Sequence, residues 1–140
     1  MKSRAMKAVE RREKGYNCAQ AVFCTYADLM GMSEEEAYKT AEALGTGMGG
    51  LQLTCGAVTS MFLIAGKVNS NGVLGDKSTR PSTYAKVREL HRAFEEKNKS
   101  TICRELSGAG TGTRLRSCAG CVEDAARLIE QKIFAGQFEE

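Results

Sequence analysis

A single proline, Pro81, stands in a chain of 140 residues. Proline breaks helices from within, so a chain with only one has room for long, uninterrupted helices. Glycine punctuates instead. Eight of the fifteen glycines fall in two stretches, Gly45 to Gly56 and Gly108 to Gly112. Such clusters mark places where the backbone takes positive φ or where two elements come close. Between them the apolar residues recur at helical spacing. Aromatics make up 6% of the chain and tryptophan is absent, which argues against a β-sandwich. The pattern predicts an all-α, single-domain helical bundle of six to seven helices over residues 1–140.

The predicted helices follow from caps and stops. The first covers about 2–14 and stops at Gly15; the second runs from Cys18 to Met30 and ends at Gly31. Ser33, with Glu36 three residues on, forms a capping box that opens a third helix reaching about Leu44. A fourth, from Cys55 to about Lys67, is apolar almost all round and is expected to be central and buried. Residues 68–80 are a loop rich in Asn, Ser and Gly. A fifth helix runs from about Ser82 to Lys97, with Tyr84, Val87, Leu90, His91 and Phe94 on one face. A short helix from Ser100 to Leu106 follows, and a final helix from Cys118 to Phe134 carries Val122, Ala125, Ala126, Ile129 and Ile133 on one stripe. The charged tail from Gln137 to Glu140 is expected to fray.

Charge narrows the function classes. The net charge is +3, and residues 2–14 carry six Lys or Arg against two Glu. A nucleic-acid binder shows a denser basic stripe interleaved with aromatics, so this segment reads as a solvated helix face and no nucleic-acid partner is expected. Residues 8–20 are too polar for a signal-peptide core, and the most apolar run, Met61 to Gly66, is too short to span a bilayer. These features predict a cytoplasmic protein without membrane insertion. The cytoplasm keeps thiols reduced, so the six cysteines, Cys18, Cys24, Cys55, Cys103, Cys118 and Cys121, point to catalysis, redox chemistry or metal binding rather than to structural bridges.

Four of these cysteines align with predicted helix starts. Asn17 precedes Cys18, with Gln20 completing a capping-box pattern; Thr54 precedes Cys55; Ser117 precedes Cys118; Ser100 lies three residues before Cys103. A first turn offers unpaired N–H groups and the positive end of the helix dipole, both of which favour thiolate over thiol. Thiolate is the form that attacks disulfides and ligates metals. Cys118-Ala-Gly-Cys121 is one CxxC, whereas a zinc knuckle shows two. Cys24 lies mid-helix without a cap and reads as a core residue. His91, the only histidine, reads as a packed side chain, and the glycine loop at 108–112 lacks the strand and the Lys-Ser/Thr ending of a phosphate loop.

The cysteine segments resemble a family of small bacterial and archaeal proteins described as redox-active, with four characteristic cysteines and a CGAxxG motif. Gly15-Tyr16-Asn17-Cys18-Ala19-Gln20-Ala21-Val22 resembles the first cysteine segment. Gly47-Met48-Gly49-Gly50 with Thr54-Cys55-Gly56-Ala57 resembles the central motif, with Ser60 in place of its last glycine. Cys103-Arg104-Glu105-Leu106 and Cys118 with Val122 resemble the third and fourth. The resemblance implies an all-helical fold and a redox role. The four cysteines it picks out, Cys18, Cys55, Cys103 and Cys118, coincide with those at helix starts and are expected to converge as catalytic, cofactor-binding or metal-ligating residues. Cys121 is an additional metal-ligand candidate. Three chemistries stay open: dithiol/disulfide cycling with an unidentified redox partner, an iron–sulfur cluster, or zinc. The alternative class is a structural or interaction module, a homodimer whose cysteines are packing residues.

Overall fold

The computed structural model describes residues 1–139. Seven α-helices account for the fold: α1 (Ala5–Glu13), α2 (Cys18–Thr25), α3 (Glu34–Ala41), α4 (Gly56–Asn69), α5 (Arg80–Asn98), α6 (Cys103–Ser107) and α7 (Cys118–Leu128). Among the described residues there is no strand, and a lone antiparallel bridge joins Thr54 to Ile102. The all-α class expected from the sequence is thus present. Among the described residues no helix is long and apolar enough to cross a membrane.

Helices α2, α3 and α7 are shorter than their apolar patterns suggested, because their last turns tighten or widen. The stretch after α2 becomes a 3₁₀ turn at Ala27–Met30, closed by Gly31 at φ 71°. Residues Glu42–Leu44 after α3 do the same. Beyond α7, Ile129–Ile133 form one turn of π-helix. Pro81 sits in the first turn of α5, where its missing N–H costs nothing, so α5 starts before rather than after it.

Helix α2 is the axis of the molecule: every residue from Ala19 to Thr25 is buried. It packs on α4, α3, α1 and α7. The α2–α4 contact is close because small residues line it. A methyl group added at Gly56 would lie 2.9 Å from the Leu44 carbonyl oxygen, 3.1 Å from the Ala19 nitrogen and 3.2 Å from its Cβ. Ser60, in the place of the family glycine, donates its hydroxyl to the Ala19 carbonyl at 2.8 Å and pins the two helices together.

Two expected features fall differently. Helix α4 is central but not buried all round, since Leu63 faces outward. On α5, Leu90 and Phe94 are buried, whereas Tyr84 is exposed because the first turns of α5 project past the core. The tail over residues 137–139 does not fray. Phe138 packs edge-on against Tyr26, Arg4 lies over its ring, and the Met1 amino group donates to Gln137 O at 2.7 Å. Glu140 lies outside the described residues.

Candidate functional site

Five of the six cysteines line one cavity of about 100 Å³: Cys18, Cys55, Cys103, Cys118 and Cys121. The four expected from helix starts are therefore brought together, and Cys121 joins them. Cys24 is apart, on the far side of α2, where its thiol reaches the Glu34 carbonyl at 3.7 Å and burial pushes it up to about 11.

Local chemistry explains each position. Asn17 caps α2 with a complete capping box: Asn17 Oδ1 accepts from the Gln20 N–H at 2.8 Å and Gln20 Oε1 accepts from the Asn17 N–H at 3.0 Å. Cys18 follows as the first helical residue. Ser117 caps α7 by accepting from the Gly120 N–H at 3.0 Å, which puts Cys118 in the first turn and Cys121 one turn deeper. Cys55 departs from expectation. It occupies the N-cap position itself, at φ −52° and ψ 135°, because residues 53–55 pair with 101–103. The Cys55 N–H donates to Thr101 O at 2.8 Å, and the Cys103 N–H donates to Leu53 O at 2.6 Å. Thr54 is therefore a bridge residue, not a cap. Cys103 also differs: Ser100 does not cap it, α6 has only five residues, and its position comes from this backbone pairing.

The segment before Cys55 turns left-handed. Thr46, Gly47, Met48, Gly49 and Gly50 all have φ between 50° and 80°. Glycine accepts this conformation freely, but a β-branched residue such as Thr46 does so only when its surroundings hold it there. Gly47 could not be replaced in place, since a Cβ would lie 2.5 Å from the Leu53 nitrogen. Thr46 and Gly47 form part of the cavity wall.

Within the cavity the thiols influence one another in two pairs, Cys18 with Cys118 and Cys55 with Cys121. The neighbouring Cys18 thiol, with support from Arg12 and Arg114, holds the Cys118 thiol down to about 5 against the burial that raises it. Cys18 itself is pushed far up by the same partner and by burial. The neighbouring Cys121 thiol, together with the Ala57 and Val58 N–H groups, holds Cys55 below its ordinary value against burial; Cys121 is pushed up in turn. The pairs differ in access. Cys118 is exposed and Cys18 half-buried, whereas Cys55 and Cys121 are buried. Cys103 is half-buried, and burial pushes its thiol up.

Arginines were the part the sequence reading missed. Arg12 lies beside Cys18 and Cys118, and its Nε is buried without a hydrogen-bond partner. The basic N-terminal helix has the charge pattern of a solvated face, yet Ala5, Ala8 and Arg12 share one side of α1, and the first two are buried. Arg116 crosses over Gly120 of the CxxC, where a Cβ would run into its guanidinium. It is held there by Asp124, to which it donates from Nε at 3.0 Å and from Nη2 at 3.2 Å. Lys97 and Asn98 donate to the same carboxylate at 2.7 and 3.2 Å. Burial pushes the Asp124 carboxyl up, but these donors outweigh it and hold it below the ordinary carboxylate range.

Asp124→Asn should therefore cost about 2 kcal/mol. This is below the usual loss for a broken buried pair, because Arg116 and Lys97 are partly exposed and can rehydrate. In a 140-residue chain this is a fall in Tm of roughly 6–10 °C at pH 7. The carboxylate's contribution is complete above the ordinary aspartate pKa near ~4 and fades as pH drops below it, so the gap between the two proteins should narrow on acidification. A constant gap would mean that the ion pairs are not its source.

His91 has the packing role expected: its Nε2 lies 3.2 Å from Thr101 Oγ1, and its ring stacks on Phe62.

A metal held by Cys18, Cys55, Cys103 and Cys118 requires several sulfurs about one ion. Among the described residues no group of three or more His, Cys, Asp or Glu side chains is placed to hold one.

No curated protein and no solved structure is matched by the chain. Residues 16–132 match the family described as "Putative redox-active protein (C_GCAxxG_C_C)". The string GCAxxG does not itself occur here; Cys55-Gly56-Ala57-Val58-Thr59-Ser60 has cysteine and glycine exchanged and Ser60 in the last place. The match spans most of the chain and takes in all six cysteines, so this protein belongs to that family of redox-active proteins.

Proposed function

We propose that the protein is a thiol–disulfide redox protein in which Cys118 is the attacking thiolate and Cys18 the resolving thiol. The observation that carries this reading is the Cys18–Cys118 pair at the exposed end of the cavity, beside the Arg12 guanidinium. A nucleophile needs to be ionised, reachable and next to a second thiol, and Cys118 meets all three conditions. Its thiolate attacks one sulfur of an external disulfide and releases the other half as a thiolate. The Cys18 thiol, losing its proton to the released thiolate, then attacks Cys118 and frees the second half. Two electrons pass to the substrate and a Cys18–Cys118 disulfide remains. Arg12 stabilises the thiolate at the start of the cycle.

Equilibration of the reduced protein against a glutathione series, with acid quenching, alkylation and peptide mapping, tests this. The expected result is a two-electron step that yields a Cys18–Cys118 disulfide. Mixed glutathione adducts on Cys118 with Cys18 still free would overturn the resolving role. Iron, zinc or sulfide in stoichiometric amounts in protein purified without oxygen would overturn the thiol–disulfide reading altogether.

A further inference from the structure

We infer that the buried Cys55–Cys121 pair is a second dithiol in electronic exchange with the surface pair, so that the protein stores two disulfides and passes oxidation inward from Cys18–Cys118. The inference rests on the proposed role of Cys18 and Cys118, and it assigns Cys121 a function that its place outside the four characteristic cysteines does not.

Three observations place the pairs within reach of each other. All four sulfur-bearing residues line the same cavity. Cys118 and Cys121 are three residues apart on α7 and so share one of its faces. Cys18 and Cys55 immediately precede Ala19 and Gly56, and the Gly56 Cβ position is 3.1 Å from the Ala19 nitrogen, so the starts of α2 and α4 abut. The two pairs differ in one decisive respect. Cys55 and Cys121 are 6% and 2% exposed, too closed off to meet an external disulfide directly. A route through the surface pair is the one the packing leaves them.

The exchange balances without any further reactant. With the Cys18–Cys118 disulfide formed, the Cys55 thiolate attacks the Cys18 sulfur. A Cys18–Cys55 bond forms, the Cys18–Cys118 bond breaks, and Cys118 leaves as a thiolate. Cys118 is the better leaving group because the thiol of lower pKa departs faster. The Cys121 thiol then attacks the Cys55 sulfur and gives its proton to the departing Cys18. The products are a Cys55–Cys121 disulfide, a Cys118 thiolate and a Cys18 thiol. One disulfide, one thiolate and one thiol stand on each side, and the surface pair is free to react with a second equivalent of external disulfide.

The test is a time course on the full reduced chain treated with one equivalent of diamide, quenched in acid and mapped for disulfides. The expected result is early Cys18–Cys118, replaced later by Cys55–Cys121, with both present after a second equivalent. Cys118→Ser should leave the buried pair reduced over the same period, and Cys121→Ser should accumulate the Cys18–Cys55 bond. Cys24→Ser, remote from the cavity, is the control and should follow the wild-type course. Oxidation of Cys55–Cys121 at an undiminished rate in Cys118→Ser would overturn the relay, as would a wild-type Cys18–Cys118 disulfide that never migrates. Both outcomes leave the surface pair's role intact. Failure of that role looks different: no Cys18–Cys118 disulfide at any time.

Discussion

Iodoacetamide labelling at pH 6 should fall about tenfold when Cys118 is replaced by serine. The size of the effect comes from two opposed terms. A thiol held down to about 5 is mostly ionised at pH 6, whereas a thiol near the ordinary ~8.5 is only about 0.3% thiolate. That alone would favour Cys118 by roughly 300-fold. Intrinsic nucleophilicity falls as the thiol becomes more acidic, and over some 3.5 units this returns a factor of about 40. The net advantage is close to tenfold, and it belongs to the one cysteine that is exposed at the cavity mouth. The pH profile carries more information than the rate. Wild-type labelling should reach half its plateau near pH 5 and stay flat through neutrality. Removing the charge with Arg12→Met should move that midpoint upward, since the guanidinium beside Cys118 favours the thiolate. A wild-type profile that rises only through pH 8–9, or label found chiefly on Cys18, would sink the assignment of Cys118 as the nucleophile.

How much of this site could be seen in the sequence depends on the range of the interaction. Cys18 and Cys118 were legible because caps are local: Asn17 with Gln20, and Ser117, are signals read within a few residues. Cys55 was legible as a site residue but for a partly different reason. Thr54 looks like a cap, yet its backbone pairs with Ile102, a partner 48 positions away that no local pattern announces. Cys103 owes its place to the same bridge. The proximity of Cys55 to Cys121 joins the start of α4 to α7, and no local pattern announces it. Arg12 had a weak local signal, the spacing of Ala5, Ala8 and Arg12, but it was hidden among six basic residues that otherwise look solvated. Helix boundaries failed where terminal turns left α geometry, as at Ala27–Met30 and Ile129–Ile133. Such changes are set by packing against neighbours rather than by residue type. In the tail the charge at Glu139 and Glu140 masks the signal of Phe138, whose ring seats on Tyr26 and Phe134.

The same helix offers a comparison that separates propensity from packing. Gly56→Ala and Gly66→Ala both replace a glycine of α4 by the best helix former, yet they should shift stability in opposite directions. At Gly66 the new methyl meets only Thr83 Cγ2, at 3.9 Å, so the variant should gain up to ~1 kcal/mol from reduced chain entropy. At Gly56 the methyl would press on the Leu44 carbonyl and the Ala19 backbone, and backbone atoms of two neighbouring segments cannot both give way cheaply. Overpacking of this kind costs about 2 kcal/mol, and the first helical position returns little propensity against it. The two variants should thus differ by about 3 kcal/mol, roughly 9–15 °C in Tm. The consequence extends to the site. Cys55 and Cys18 flank the contact that the methyl would open, so Gly56→Ala should also slow the appearance of Cys55–Cys121 after diamide, while Gly66→Ala leaves that course unchanged. Equal melting temperatures for the two variants would mean that α2 and α4 are free to separate, and the close approach that brings the two cysteine pairs together would then lose its physical basis.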